Sequence, residues 1–282
     1  MTRIGRRVFM KTAAGGLASV AVVPGKIFTR RRPGGEVKSP AKFSLGLASY
    51  SFRAFDLKRT AAMTRRLGLK RILLKDMHLP LDSTPAEIAG ARALIEESGL
   101  DLYGCGVVYM RTESEVDRAF AYAAAAAMKM IVCAPEPGLL AAVERNVKRT
   151  AIRAAIHNHG PGDRLYPTPA SAYEKVISLD ERIGLCLDIG HAMRAGINPA
   201  EAAAAFFDRL LDVHIKDVSR ADRDGQTVEI GRGVIDITGF IRKMIELGYA
   251  GTLHFEFEKD EKDPLPGVAE SVGYVRGVLA AL

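Results

Sequence analysis

From residue 44 onward, short apolar runs alternate with longer stretches of helical periodicity, and this alternation limits the available folds more than any other feature. The runs are SLGLASY, KRILLK, LDLYGCGVV, KMIVCA, IRAAIHN, IGLCLD, LLDVHIK and TLHFEF, eight in all. Continuous apolar runs separated by helices mark parallel βαβ units, whose strands are covered on both faces. Eight such units within residues 43–282 predict one domain, an α/β protein folded as a closed (β/α)8 TIM barrel rather than a doubly wound sheet. No G-x-G-x-x-G follows the first run and no P-loop occurs, which disfavours a dinucleotide or nucleoside triphosphate site. The glycines of EIGRGVID read as turn residues.

Helix starts are legible between the runs. Thr84, Pro85 and Glu87 supply an N-cap, an N1 proline and a capping-box acid. Thr112 with Glu115, and Asn198 with Pro199 and Glu201, repeat the pattern, and Asp236 caps a further helix. Residues 266–282 predict a last helix that closes the outer ring. Alanine-rich stretches such as AYAAAAAM are good helix formers with no chemistry implied.

The net charge of +7 is unevenly placed. Residues 1–42 hold ten basic residues and a single acid, Glu36, so residues 43–282 carry 30 basic against 32 acidic side chains. The domain itself is therefore close to neutral, which argues against a nucleic-acid partner. The leader reads GRRVFMK followed by the 12-residue TAAGGLASVAVV. That stretch is shorter than the roughly 20 residues of a membrane span. It resembles a twin-arginine signal, which implies export by that machinery to the periplasm or beyond, with no stable span after processing. Cys105, Cys133 and Cys186 are odd in number and lie in apolar runs, so three buried thiols are expected rather than a disulfide framework.

Each of the six histidines lies in one of the eight runs or just past its end: His78, His157, His159, His191, His214 and His254. In such barrels the active site is built at the carboxyl ends of the strands, so all six are expected on one face. The segments AIHNHG, LCLDIGH, DVHIKD and HFEFE belong to four consecutive runs and bring imidazoles and carboxylates to one point. That mixture suits a divalent metal with open positions for substrate. Lys216 shares strand parity with His214 and faces the substrate, with Asp217 as a turn or supporting residue. Lys75 and His78, ending the second run, are candidates for contacting a substrate hydroxyl or oxyanion, with Lys75 also a candidate acid. Tyr50 and Phe52 can floor a sugar ring, and Arg232 can reach an anionic group.

These four segments resemble the xylose isomerase-like superfamily of sugar isomerases and epimerases, and most closely an exported branch that includes enzymes acting on 3-keto sugars and glycosides. The resemblance spans nearly all of residues 43–282. It implies a metal held by His157, Asp188, His214 and Glu256, with Glu256 and His157 as catalytic candidates and His159 and His191 contacting substrate. Mn2+, Co2+ or Zn2+ suit these donors best, and Mg2+ is also compatible. Where many relatives read E-N-H, this chain has His157, Asn158 and His159. A symmetric epimerisation by two glutamates is thereby put in question.

The implied reaction is removal of a proton beside a carbonyl of a carbohydrate, leading to isomerisation or epimerisation. Alternatives are elimination or hydrolysis of a 3-keto-glycoside and a non-catalytic sugar-binding protein, which predicts neither bound metal nor turnover. A DNA-cutting branch acting at abasic sites fits the near-neutral domain poorly. The oligomeric state is left open.

Overall fold

The computed structural model describes residues 41–282. The leader expected at residues 1–42 thus lies, through residue 40, outside the described residues. Eight strands form a closed parallel barrel: β1 (Ser44–Ala48), β2 (Arg71–Leu74), β3 (Asp101–Met110), β4 (Met130–Pro135), β5 (Arg153–His157), β6 (Ile183–Asp188), β7 (Leu210–Ile215) and β8 (Thr252–Phe255). Each lies within or overlaps one of the eight apolar runs, and β1 pairs with β8 to close the sheet. Every residue of β4, β6 and β8 is buried, as expected of strands covered on both faces.

The outer layer comprises α1 (Leu57–Arg66), α2 (Pro85–Glu97), α3 (Glu113–Ala125), α4 (Leu140–Thr150), α5 (Pro169–Val176), α6 (Ile189–Arg194), α7 (Pro199–Ala205), α8 (Ile237–Glu246) and α9 (Leu265–Ala281). Thr84 and Glu87 form the reciprocal capping box expected at α2. At α3, Thr112 caps as expected, but the Glu115 carboxylate accepts from the Arg111 amide at 2.6 Å instead of closing a box. Asn198 caps α7 and Asp236 caps α8. A two-stranded antiparallel ribbon, Asp217–Val218 against Thr227–Val228, lies between β7 and α8 and was not foreseen. Asp217 is its anchor, because its buried carboxylate accepts from the amides of Gly231, Gly233 and Ile235 and fixes the loop. Among the described residues, no helix is long and apolar enough to cross a membrane.

Side chains pointing into the barrel form a layer of their own. Leu73, Tyr103, Met130, Val132, Ala155 and Cys186 pack together there. On β7 and β8 the inward set turns polar, with His254 Nδ1 3.0 Å from Asp212 Oδ2. Gly46 on β1 makes room for this pair, since a Cβ there would lie 2.6 Å from His254 Cδ2. All three cysteines are buried and free. Burial pushes the Cys105 thiol up to about 12, so it is an inert packing group.

Candidate active site

The carboxyl ends of β5 to β8 converge. β5 ends on His157, β6 ends on Asp188, β7 carries His214 with Lys216 just beyond, and Glu256 follows β8; all five side chains are buried. One ligand-type atom from each of His157, Asp188, His214 and Glu256 lies within 4.8 Å of the others. Two local devices fix this. Asn158 clamps the strand end, donating from Nδ2 to the Asp188 carbonyl at 3.0 Å and accepting from the Asp188 amide at 3.0 Å. Asp188 is also the N-cap of α6, where Oδ1 accepts from the His191 amide at 2.8 Å, leaving Oδ2 to face the site.

Lys216 lies among the carboxylates. Its Nζ is 2.7 Å from Glu256 Oε2 and 2.9 Å from Asp188 Oδ2, and it also contacts Glu258 Oε1. Its stem passes across Gly190, where a Cβ would lie 2.5 Å from Lys216 Cγ, so the glycine of DIGH is a packing requirement. Burial disfavours the Lys216 ammonium, but the three carboxylates outweigh that and hold it charged, well above the usual lysine range. Burial likewise opposes ionisation of Asp188 and Glu256. For Asp188 the histidine His191 and the Lys216 ammonium prevail, and for Glu256 Lys216 and His214 do, so both carboxyls lie well below the usual range. At His214 burial opposes the proton, yet the Glu256 carboxylate, 3.2 Å from Nδ1, prevails and raises its pKa.

Unpaired atoms decide whether the donor set suits a metal. Among the described residues, His157 Nδ1 and Nε2, His214 Nε2 and Asp188 Oδ2 are buried without a hydrogen bond. The Asp188 Oδ2 contact with Lys216 is ionic and off the hydrogen-bonding direction. Each buried polar atom left unpaired costs about 1–3 kcal/mol, so three such imidazole nitrogens at one point, beside an Asp188 oxygen held only by ionic contacts, mark a site built for a ligand. Burial holds the His157 imidazole neutral, as a ligand nitrogen requires. Three carboxylates around one ammonium also leave an excess of two negative charges when the histidines are neutral, matching a divalent ion. A second grouping, His157, Cys186 and His214, shares both imidazoles. It is the weaker set, because burial and nearby Asp212 keep the Cys186 thiol protonated.

His159 and His191 complete an imidazole cluster, with ring centroids 4.4 and 5.8 Å from that of His157. Burial first, then neighbouring His191, lowers His159 to about 4, and burial lowers His191. Both are neutral near pH 7 and suited to hydrogen-bonding hydroxyls. His191, just past the end of β6, lies in the first turn of α6. Tyr109, at the end of β3, makes a 2.9 Å hydrogen bond to His159 Nε2 and is 48% exposed as a residue, which offers an aromatic side chain beside the cluster. Across the mouth, Lys75 Nζ lies 5.2 Å from the Tyr50 ring centroid, near enough to help lower Glu256 and His159. The Arg53 guanidinium lies 4.9 Å from the same ring.

Four sequence expectations require correction. His78 does not face substrate: it is buried, Nδ1 is 2.9 Å from Ser49 Oγ, and Nε2 lies 3.1 Å from both Thr60 Oγ1 and the Phe55 carbonyl. A carbonyl only accepts, so Nε2 carries the proton, and the ring ties β1, α1 and β2 together. Arg232 is exposed and forks onto Glu270 of α9 at 2.5 and 2.7 Å, away from the cluster. His254 is a buried partner of Asp212 inside the barrel, so the six histidines do not share one face. Phe52 is buried in the core and floors nothing. Glu258 and Tyr109 were missed. The alternation E-F-E in HFEFE was a signal for Glu258, whereas nothing in YGCGVVYM marked Tyr109.

The buried His78 gives a pH prediction. Burial lowers its pKa below 6.5, so the unfolded chain binds more protons in that window. Its stabilising contribution is full above 6.5 and is lost as pH falls through the lowered folded value. The gap in thermal midpoint between wild type and His78→Gln is expected to narrow from about pH 7.5 to about pH 5. A constant gap would contradict this role.

Comparison with known proteins places the geometry in context. Inosose dehydratase of Geobacillus kaustophilus is 31% identical over 109 residues, covering 33% of this chain and 34% of that protein. The matched stretch spans about a third of the length of each curated relative. Among solved structures, 3-keto-D-glucoside 4-epimerase from E. coli superposes with a TM-score of 0.69 at 17% identity, covering 84% of this chain and 100% of that one. A D-tagatose 3-epimerase-like protein gives 0.65 at 18% identity, covering 83% and 99%. At such identities these two show a shared fold. Residues 56–278, most of the barrel, match a single family description. The chain belongs to the xylose isomerase-like TIM barrel family.

Proposed function

We propose that this chain is a metal-dependent enzyme of the sugar isomerase and epimerase type, which removes a proton beside a carbonyl of a carbohydrate. The observation that carries the proposal is the buried His157–Asp188–His214–Glu256 group with its unpaired nitrogens. Bound there, a divalent ion of the Mn2+, Co2+ or Zn2+ kind supplies polarisation of a substrate oxygen, which acidifies the neighbouring C–H.

The protein's own residues do the rest. Glu256 Oε2 is anchored by Lys216 Nζ and His214 Nδ1, while Oε1 has no hydrogen-bond partner among the described residues. Oε1 is therefore the atom available to take the carbon-bound proton, and positive charge at Oε2, from Lys216 or from a bound ion, would keep the carboxylate ionised for it. His159 and His191 orient hydroxyls, and Lys75 and Tyr50 bound the opposite rim. The resemblance of the leader to a twin-arginine signal supports assigning this activity to the periplasm or outside the cell, with non-phosphorylated carbohydrates as substrates.

A second reading, elimination from a 3-keto-glycoside, is favoured by one feature. With His157 in the first ligand position, Glu256 is the lone carboxylate of the four-residue group placed to act as base. Elimination needs one base and an acid for the departing oxygen, a role open to Lys75. Metal-loaded protein in D2O, given 3-keto-glucosides and free ketohexoses, separates the outcomes. Deuterium entering recovered sugar without cleavage supports the isomerase or epimerase reading, and rapid loss of aglycone supports elimination. Absence of both exchange and cleavage would sink proton transfer altogether.

A further inference from the structure

The site contains two kinds of unmet demand, and Lys216 meets only one. Its ammonium sits 2.9 Å from Asp188 Oδ2 and 2.7 Å from Glu256 Oε2, offsetting the two carboxylates of the ligand group. It does nothing for His157 Nδ1 and Nε2 or His214 Nε2, which lack any hydrogen-bond partner among the described residues. A divalent ion serves both oxygens and nitrogens. An ion bonded to Glu256 Oε2 at about 2.2 Å lies within about 4.9 Å of Nζ where it now stands, in a water-excluded pocket where like charges repel strongly.

The third contact of Lys216 shows where the ammonium can go. Glu258 Oε1 already touches Nζ, and Glu258 is 34% exposed whereas Asp188 and Glu256 are buried, so it lies on the solvent side. A lysine stem has four torsions, and the glycine at position 190 leaves its path clear of a side chain.

We propose that Lys216 is a placeholder cation: its ammonium and a divalent metal ion compete for Asp188 Oδ2 and Glu256 Oε2, with Glu258 holding the ammonium once the ion enters. This rests on the metal reading above. It makes metal affinity a property set by Lys216 and Glu258 in opposite senses. The lysine restrains binding, whereas Glu258 eases it by receiving the displaced charge. It also favours ions that bind imidazole well, since nitrogen donors are what the ammonium cannot satisfy.

The test is a competition titration of Zn2+ against a chromophoric chelator, using the full chain as wild type, Lys216→Met, Glu258→Gln and the double variant. Lys216→Met is expected to bind zinc about 10- to 100-fold more tightly than wild type, and Glu258→Gln about tenfold more weakly. In the double variant the Glu258 substitution loses its effect, because there is no ammonium to receive. Equal or weaker binding by Lys216→Met beside a wild type that binds would overturn the placeholder and leave the metal site standing. Zinc binding by none of the four proteins would overturn both. A crystal structure of zinc-loaded wild type decides the matter without any variant. Nζ is expected on Glu258 and out of hydrogen-bond reach of Asp188 Oδ2 and Glu256 Oε2. Zinc bound with Nζ still within about 3 Å of both oxygens would overturn the proposal.

Discussion

Glu256→Gln is expected to lower turnover by about 100- to 10,000-fold, the range over which a positioned base contributes. The substitution keeps the shape and one carbonyl oxygen but removes the proton acceptor at Oε1. Lys216 retains Asp188 and Glu258, so its charge is not stranded and the fold should survive. His214 Nδ1 loses its carboxylate partner, which returns that imidazole toward neutrality. The fall should therefore be in kcat with a comparatively small change in KM, the mark of an interaction made in the transition state. Steady-state kinetics with a thermal midpoint within a few degrees of wild type would establish it. A loss of less than about tenfold would remove Glu256 from the role of base.

Asp188→Asn should remove both metal and activity. Asp188 is the most constrained member of the group: its backbone is clamped by Asn158, Oδ1 caps α6 and Oδ2 faces the site. Asparagine preserves the cap and takes away the charge. Metal affinity should fall by more than the about 10- to 100-fold typical of supporting residues. Metal content after dialysis, measured by elemental analysis, reads this directly, and a variant that retains a full equivalent would contradict it. The cost in stability should stay below the about 3–5 kcal/mol of a fully stranded buried ion, because Lys216 keeps Glu256 and Glu258.

The barrel was legible because its signal is repeated eight times, and each repeat is a continuous apolar run whose strand is covered on both faces. Capping followed local chemistry at Thr84, Asn198 and Asp236. It departed at Glu115, where a neighbouring amide at Arg111 competes for the same carboxylate. The short ribbon after β7 was not legible, since two-residue strands carry no periodicity. The convergence of His157, Asp188, His214 and Glu256 was readable from their places at the ends of four consecutive strands, and that of Lys216 from its parity with His214. Proximity to a strand end did not suffice for the histidines. His254 lies deeper on its strand and faces Asp212, while both nitrogens of His78 are used by the Ser49 and Thr60 hydroxyls and the Phe55 carbonyl. Tyr109 escaped notice because a tyrosine at a strand end reads equally as core, and only the fold brings it to His159.

Hydrogen exchange at the carbon beside the carbonyl of a 3-keto-glucoside, followed by NMR in D2O, addresses metal-assisted proton abstraction without requiring the final product to be known. It should be measured on chelator-treated protein, on the same protein after restoring Mn2+ or Zn2+, and on metal-restored Glu256→Gln. Exchange is expected only in the metal-restored wild type. Equal exchange rates in all three preparations, above the protein-free control, would contradict it.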